Sequence, residues 1–196
     1  MSKAIDLYLY FNFRSPYCYL ASSRMFEVFD QYHVNIIWRP LGGWHGRSDP
    51  DRAKIKMPIA RQDVARWARR FGMPLTPPPK TTDPTRAGAG SLLAEKEGLL
   101  RPYLVAMMQA EWSEGQDIGD IEVLLSVAES VGLDGEAFAR AIDDPENHAQ
   151  LDRNWQEAQE KGALGVPTFV VGDQIFWGQD RLDFVAEHLQ DLGAAR

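Results

Sequence analysis

The sequence predicts an α/β protein: a mixed four-stranded sheet carrying a large all-helical insertion. Strand-like apolar text stands near both ends, helical periodicity fills the middle, and a Gly-Asp turn joins two short β-rich runs near the C-terminus. A chain of 196 residues, 44% hydrophobic and 25% charged, can bury a real core of this kind.

Residues 4 to 13, "AIDLYLYFNF", run apolar with many aromatics and read as a buried strand. "RSPYCYLASSRMFEVFDQY" follows, with Tyr19, Leu20, Met25, Phe26 and Phe29 at helical spacing. Ser15 before Pro16 is a helix start: serine caps, and proline fits the first helical position. "VNIIWRPL" from Val34 is a second strand, parallel to the first by the handedness of such crossovers.

Between about Gly42 and Gly162 the text turns helical. "PIARQDVARWARRFG" places Ile59, Val64, Trp67 and Phe71 on one face, and the proline cluster "MPLTPPPKTTDP" is extended loop. "GAGSLLAEKEGL", "RPYLVAMMQAEWSEG", "DIEVLLSVAESVGL" and "GEAFARAIDDPENHAQLDRNWQEAQEKG" read as further helical stretches, the last divided in two by Pro145. "VPTFVVGDQIFWG" then reads as a hairpin, and "QDRLDFVAEHLQDLG" closes the chain as an amphipathic helix. The order matches a thioredoxin-like core in two parts, residues 1–41 and 163–196, around a helical insertion at 42–162.

Charge and cysteine content exclude whole classes of function. A net charge of −7 opposes tracking of phosphate backbones or anionic lipid, so neither nucleic acid nor membrane is an expected partner. One cysteine forbids an intramolecular disulfide framework and points to a reducing compartment. "MSKAIDLYLYFNF" does not read as a signal peptide, and no stretch approaches the roughly 20 apolar residues of a membrane span. A cytoplasmic protein is expected. The four histidines lack metal spacing, so no metal is expected; of them His45, in "GGWHGRSD" beside Trp44, should border the site.

Three features carry chemistry. Ser15 caps a helix whose N-terminus favours an anion, with its hydroxyl proton free to point outward toward that anion. Pro167 in "GVPTFVV" belongs at the first residue of a strand, beside Ser15, and a cis bond after Val166 is expected to turn the Val166 N–H and C=O toward an extended, peptide-like ligand. In "FWGQDRLDF", Gln179 or Asp180 should cap the last helix, where Asp180 could bind an ammonium and Arg181 a carboxylate. Cys18, one turn into its helix, reads as packing, though mixed-disulfide chemistry through it stays open if it is exposed.

"FNFRSPYCYLAS", "PIARQDVARWARRFGMPL" and "GVPTFVVGDQIFWGQDRLDFV" resemble the 2-hydroxychromene-2-carboxylate isomerases, relatives of kappa-class glutathione transferases within the DsbA-like thioredoxin fold. The resemblance spans nearly the whole chain. It implies a glutathione-dependent enzyme, a homodimer without metal, whose small-molecule aromatic substrate is isomerised by thiolate addition, bond rotation and elimination. It implies Ser15 as the residue contacting the glutathione sulfur, Val166 and Pro167 at the cysteinyl part, and Asp180 and Arg181 at the γ-glutamyl end with Trp177 alongside. Lys56 matches a lysine near the glycyl end, and Tyr17, Trp44 and His45 are expected to line the substrate pocket. The chain departs from the family pattern at Ile59 and at Gly42–Gly43. Two other activities remain open: kappa-like glutathione transfer, and thiol-disulfide exchange through Cys18.

Overall fold

The structure, a computed structural model, describes residues 4–196. Strand β1 (Ile5–Phe11) leads through α1 (Pro16–Ser22) and α2 (Met25–Phe29) into β2 (Val34–Pro40). Six helices follow: α3 (Pro50–Phe71), α4 (Thr85–Lys96), α5 (Leu100–Met108), α6 (Ile121–Ser130), α7 (Gly135–Ile142) and α8 (Pro145–Glu160). The chain then returns to the sheet as β3 (Thr168–Val171) and β4 (Gln174–Trp177), and ends in α9 (Leu182–Asp191).

The sheet order is β2-β1-β3-β4, with β1 parallel to β2 and antiparallel to β3, and β4 antiparallel to β3. Leu7 lies opposite both Ile36 and Val171, so β1 is a central strand paired along both edges, with Leu7, Leu9, Tyr10 and Phe11 buried. Its aromatic run continues past the strand end: Phe11 packs edge-on against Phe13 and Trp38, and Phe13 against Tyr103 of α5. That chain of rings joins the sheet core to the helical insertion just before Ser15.

Two elements differ from the sequence reading. The helix expected across residues 16–32 divides into α1 and α2, because the Ser22 and Ser23 hydroxyls donate back to the Tyr19 and Leu20 carbonyls at 2.7 and 2.8 Å, in competition with the backbone ladder. Helix α3 begins near Asp49 rather than Pro58. Asp49 accepts from the Asp51 and Arg52 N–H groups, Pro50 fits the first turn, and Pro58 is carried inside the helix. The break at Pro145 is as expected, with Asp144 capping α8.

Candidate functional site

The turn between β1 and α1 is organised by Asn12, a fully buried residue. Its carbonyl accepts from the Ser15 N–H and its side-chain oxygen from the Arg14 N–H, both at 3.0 Å, while its amide donates to the His45 carbonyl at 3.0 Å. One amide thus ties the start of α1 to the loop that carries Trp44 and His45. Gly46 closes that loop over Val166: a β-carbon there would lie 2.8 Å from Val166 Cγ1, and its φ of +70° already favours glycine.

Ser15 caps α1. Its hydroxyl accepts from the Cys18 N–H at 3.3 Å and donates to the Val166 carbonyl at 3.2 Å, across 151 residues of chain. The residue is 7% exposed. The meeting of Ser15 with Val166 matches expectation, and the Val166–Pro167 bond is cis. The hydroxyl direction does not: the proton points inward to Val166, because that carbonyl, freed from any ladder, is the nearest acceptor. The Val166 N–H keeps no partner among the described residues, so only half of the expected outward-facing edge is available. With seven residues, α1 is also too short to supply much dipole; local donors must do the work.

The rim is built from both ends of the chain. The Gly178 N–H donates to the Pro167 carbonyl at 2.9 Å, which brings the 3-10 turn Gln179–Arg181 beside α1. Neither Gln179 nor Asp180 caps α9, contrary to expectation: that turn absorbs the helix start, and Asp180 accepts from Arg181 at 3.0 Å instead. Gln179 is buried, and its side-chain oxygen has no partner. Trp177 is half-exposed with its indole edge against Gly165. The Tyr17 hydroxyl donates to Asp63 of α3 at 3.0 Å; burial and that carboxylate raise the phenol pKa well above its ordinary value.

Cys18 is 2% exposed, and burial pushes its thiol up to about 12, only partly offset by hydrogen bonds from the Asn12 and Ser15 side. It is inert packing at neutral pH. Lys56 stands apart from the cluster, on the exposed first half of α3, where its ammonium donates to Ser48 at 3.3 Å. His45 stacks on Trp155 and faces Asp152 at 3.6 Å.

The sequence reading missed a charged knot behind Ser15. Arg14 donates to Glu111 at 3.1 Å and to the Pro79 carbonyl at 2.8 Å, and its guanidinium lies over Trp112. Glu111 and Trp112 sit on a π-helical turn, Gln109–Ser113, that ends α5, and Trp112 donates its indole N–H to the Phe13 carbonyl at 2.9 Å. The Glu111 side chain is 0% exposed with one oxygen unpartnered. Burial pushes its pKa up to about 8 against the pull of Arg14 and Arg47. Ninety-seven residues separate the pair, and no local motif announces it.

Residues 6–190 match the model of the DSBA-like thioredoxin domain. The chain belongs to the DSBA-like thioredoxin family. It is 32% identical to a 2-hydroxychromene-2-carboxylate isomerase of Sphingobium xenophagum, over 97% of this chain and all of that one. A solved 2-hydroxychromene-2-carboxylate isomerase superposes with a TM-score of 0.77 at 27% identity, covering 96% of both chains. A kappa-class glutathione S-transferase of Caenorhabditis elegans is 26% identical over 97% of this chain and 93% of that one. Among DSBA-like proteins, then, this one has full-length relatives that are named for isomerisation and for glutathione transfer. No helix among the described residues is long and apolar enough to cross a membrane, and no group of three or more His, Cys, Asp or Glu side chains there could hold a metal ion.

Proposed function

We propose that this protein is a glutathione-dependent isomerase acting on 2-hydroxychromene-2-carboxylate or a similar conjugated aromatic catabolite, and that it works as a cytoplasmic homodimer. The observation that carries this reading is the Ser15–Val166 contact. A hydroxyl occupies the position where a disulfide exchanger needs its attacking thiolate, next to an extended segment with a free N–H.

The residues present fit a peptide-like thiol. The Val166 N–H is a donor without a partner among the described residues, and the buried Gln179 oxygen is an acceptor without one. Glutathione, when bound, supplies a nucleophilic sulfur able to add reversibly to a conjugated acceptor. Ser15 turns its proton from Val166 to that sulfur: a neutral hydrogen bond of about 1 kcal/mol gives way to a charge-assisted one of about 2. The Val166 N–H and Pro167 align the cysteinyl portion. Asp180 and Arg181 would hold the γ-glutamyl end beside Trp177. Tyr17, Trp44 and His45 line the acceptor side. Exchange through Cys18 is disfavoured by its burial and its thiol pKa of about 12.

The test is spectrophotometric isomerisation of a chromene carboxylate with and without glutathione, with free thiol counted at the end. Isomerisation that requires glutathione and leaves its concentration unchanged is the expected result. Consumption of the thiol in step with the acceptor would show conjugation instead, as in a kappa-like transferase.

A further inference from the structure

Two consecutive residues of the π-helical turn Gln109–Ser113 grip the two residues that precede Ser15. Trp112 donates its indole N–H to the Phe13 carbonyl at 2.9 Å, and Glu111 accepts at 3.1 Å from the Arg14 guanidinium, which lies over the Trp112 ring. A π-helical turn is uncommon and occurs mostly at functional sites. Here it buries Ala110, Glu111 and Trp112 in succession against the start of α1. A latch alone needs no ionisable group, since a glutamine would meet Arg14 with the same oxygen and avoid the cost of a buried carboxylate.

The geometry fits a carboxyl that keeps its proton. Glu111 is fully buried with one oxygen on Arg14, while Glu111 Oε2 and Arg14 Nε have no partner. Burial raises the Glu111 pKa to about 8, in agreement with that arrangement. The charged groups facing Glu111 are Arg14 from the β1–α1 turn, Arg47 from the β2–α3 loop and Asp117, just beyond the π turn; Asp83 in turn faces Arg47. The Cys18 thiol of α1 is raised in part by Glu111, and its N–H donates to the Ser15 hydroxyl at 3.3 Å, so a charge on Glu111 is felt at the Ser15 end of the helix. With Glu111 neutral, its partner Arg14 keeps its positive charge uncompensated one residue from Ser15. An ionised Glu111 would cancel that charge, and the seven-residue α1 supplies little dipole to replace it.

We propose that Glu111 is a positioning residue that acts through Arg14: it holds the guanidinium against the Ser15 turn, and its carboxyl proton leaves that positive charge free to favour a thiolate at Ser15. The thiol proton goes to solvent, and Glu111 keeps its own. Thiolate and Glu111 carboxylate therefore oppose each other, and whichever ionises second does so at higher pH. That the sulfur is glutathione's rests on the functional reading above; the opposition between the two charges rests on the Arg14–Glu111 pair.

The test places a thiol at the site without glutathione, as Ser15→Cys in a Cys18→Ala background so that no disulfide forms. The thiolate is titrated by its absorbance near 240 nm with Glu111 present and with Glu111→Gln, after subtraction of the Cys18→Ala protein. The Glu111 carboxyl is titrated by NMR of glutamate labelled with ¹³C at the carboxyl, its resonance assigned by its loss in Glu111→Gln. Whichever group ionises second is expected to move up by about one pH unit when the other is present, a 10-fold change, as one unit charge imposes on another in partly buried surroundings. Two titrations that ignore each other overturn the proposal and leave Glu111 a structural latch; so does a Glu111 that ionises in the ordinary carboxylate range in both proteins. Saturating glutathione should raise the Glu111 pKa of the wild type in the same way. A Glu111 that responds to the Ser15→Cys thiolate and not to glutathione would refute the functional reading and leave the coupling standing.

Discussion

Glu111→Gln tests the charged knot behind Ser15. The Glu111 carboxyl is fully buried, and its pKa is raised from 4.5 to about 8, chiefly by burial. The folded state therefore holds a proton that the unfolded chain has released, and the stability this confers is complete below about pH 4.5 and is lost as pH rises toward and through 8. At about 1.4 kcal/mol per pH unit between the two values, the upper bound on the loss is about 3 kcal/mol by pH 7 and about 5 by pH 8.5. Glutamine keeps the oxygen that faces Arg14 but cannot ionise. Urea unfolding of both proteins at pH 5.5, 7.0 and 8.5 isolates the effect, because every other titration is common to the pair. At pH 5.5 the variant should sit much closer to wild type than at high pH, and its advantage should grow with pH to several kcal/mol. A difference independent of pH, or one that grows toward acid, would show that Glu111 ionises normally and that the Arg14 pair outweighs its burial.

Three further perturbations follow from the same contacts. Ser15→Ala removes the acceptor of the Cys18 N–H and the proposed donor to sulfur; turnover should fall about 10- to 100-fold with a stability cost near 1 kcal/mol, and full activity would remove Ser15 from the chemistry. Cys18, 2% exposed with its pKa pushed up to about 12, should resist iodoacetamide at pH 8 until the protein is unfolded, and rapid labelling of the native protein, read by mass spectrometry, would contradict its burial. Gly90→Ala would place a β-carbon 2.5 Å from Phe138 and 2.7 Å from the Tyr103 hydroxyl, so thermal unfolding should show a loss of about 1–3 kcal/mol; an unchanged midpoint would mean that the α4–α7 contact can open at no cost.

What was legible in the sequence was local. Ser15-Pro16 and Pro145 mark helix boundaries through a cap and a missing N–H, and Gly172-Asp173 marks the hairpin between β3 and β4; each operates within a few residues. Pro58 shows the limit of the same signal. A proline reads as a helix start, yet the Asp49 cap and Pro50 eight residues earlier set the true one, and most of the residues between are exposed and carry little periodic signal. The site itself depends on contacts with no local trace: Asn12 reaching the loop at His45, Arg14 meeting Glu111, Trp112 donating to Phe13. These are buried polar groups satisfied by distant partners, and only the fold tells which.

The inward turn of the Ser15 hydroxyl bears on how such a site can be both stable and reactive. With one proton to give, Ser15 cannot hold Val166 and a sulfur anion together. Left without a donor, the Val166 carbonyl would lose a hydrogen bond at a buried position, a cost of about 1–3 kcal/mol that would oppose sulfur binding. An extended peptide-like ligand resolves the conflict, since its own N–H can replace Ser15 at that carbonyl while its C=O accepts from the Val166 N–H. A small thiol without a peptide backbone offers no such exchange. It follows that Ser15 should stabilise the thiolate of a γ-glutamyl-cysteinyl compound and not that of 2-mercaptoethanol. Titration of the bound thiol by its absorbance near 240 nm in wild type and Ser15→Ala would show the difference, with a Ser15-dependent lowering of pKa for the first thiol only. An equal lowering for both would mean that the Val166 carbonyl tolerates losing its donor and that the exchange is not needed.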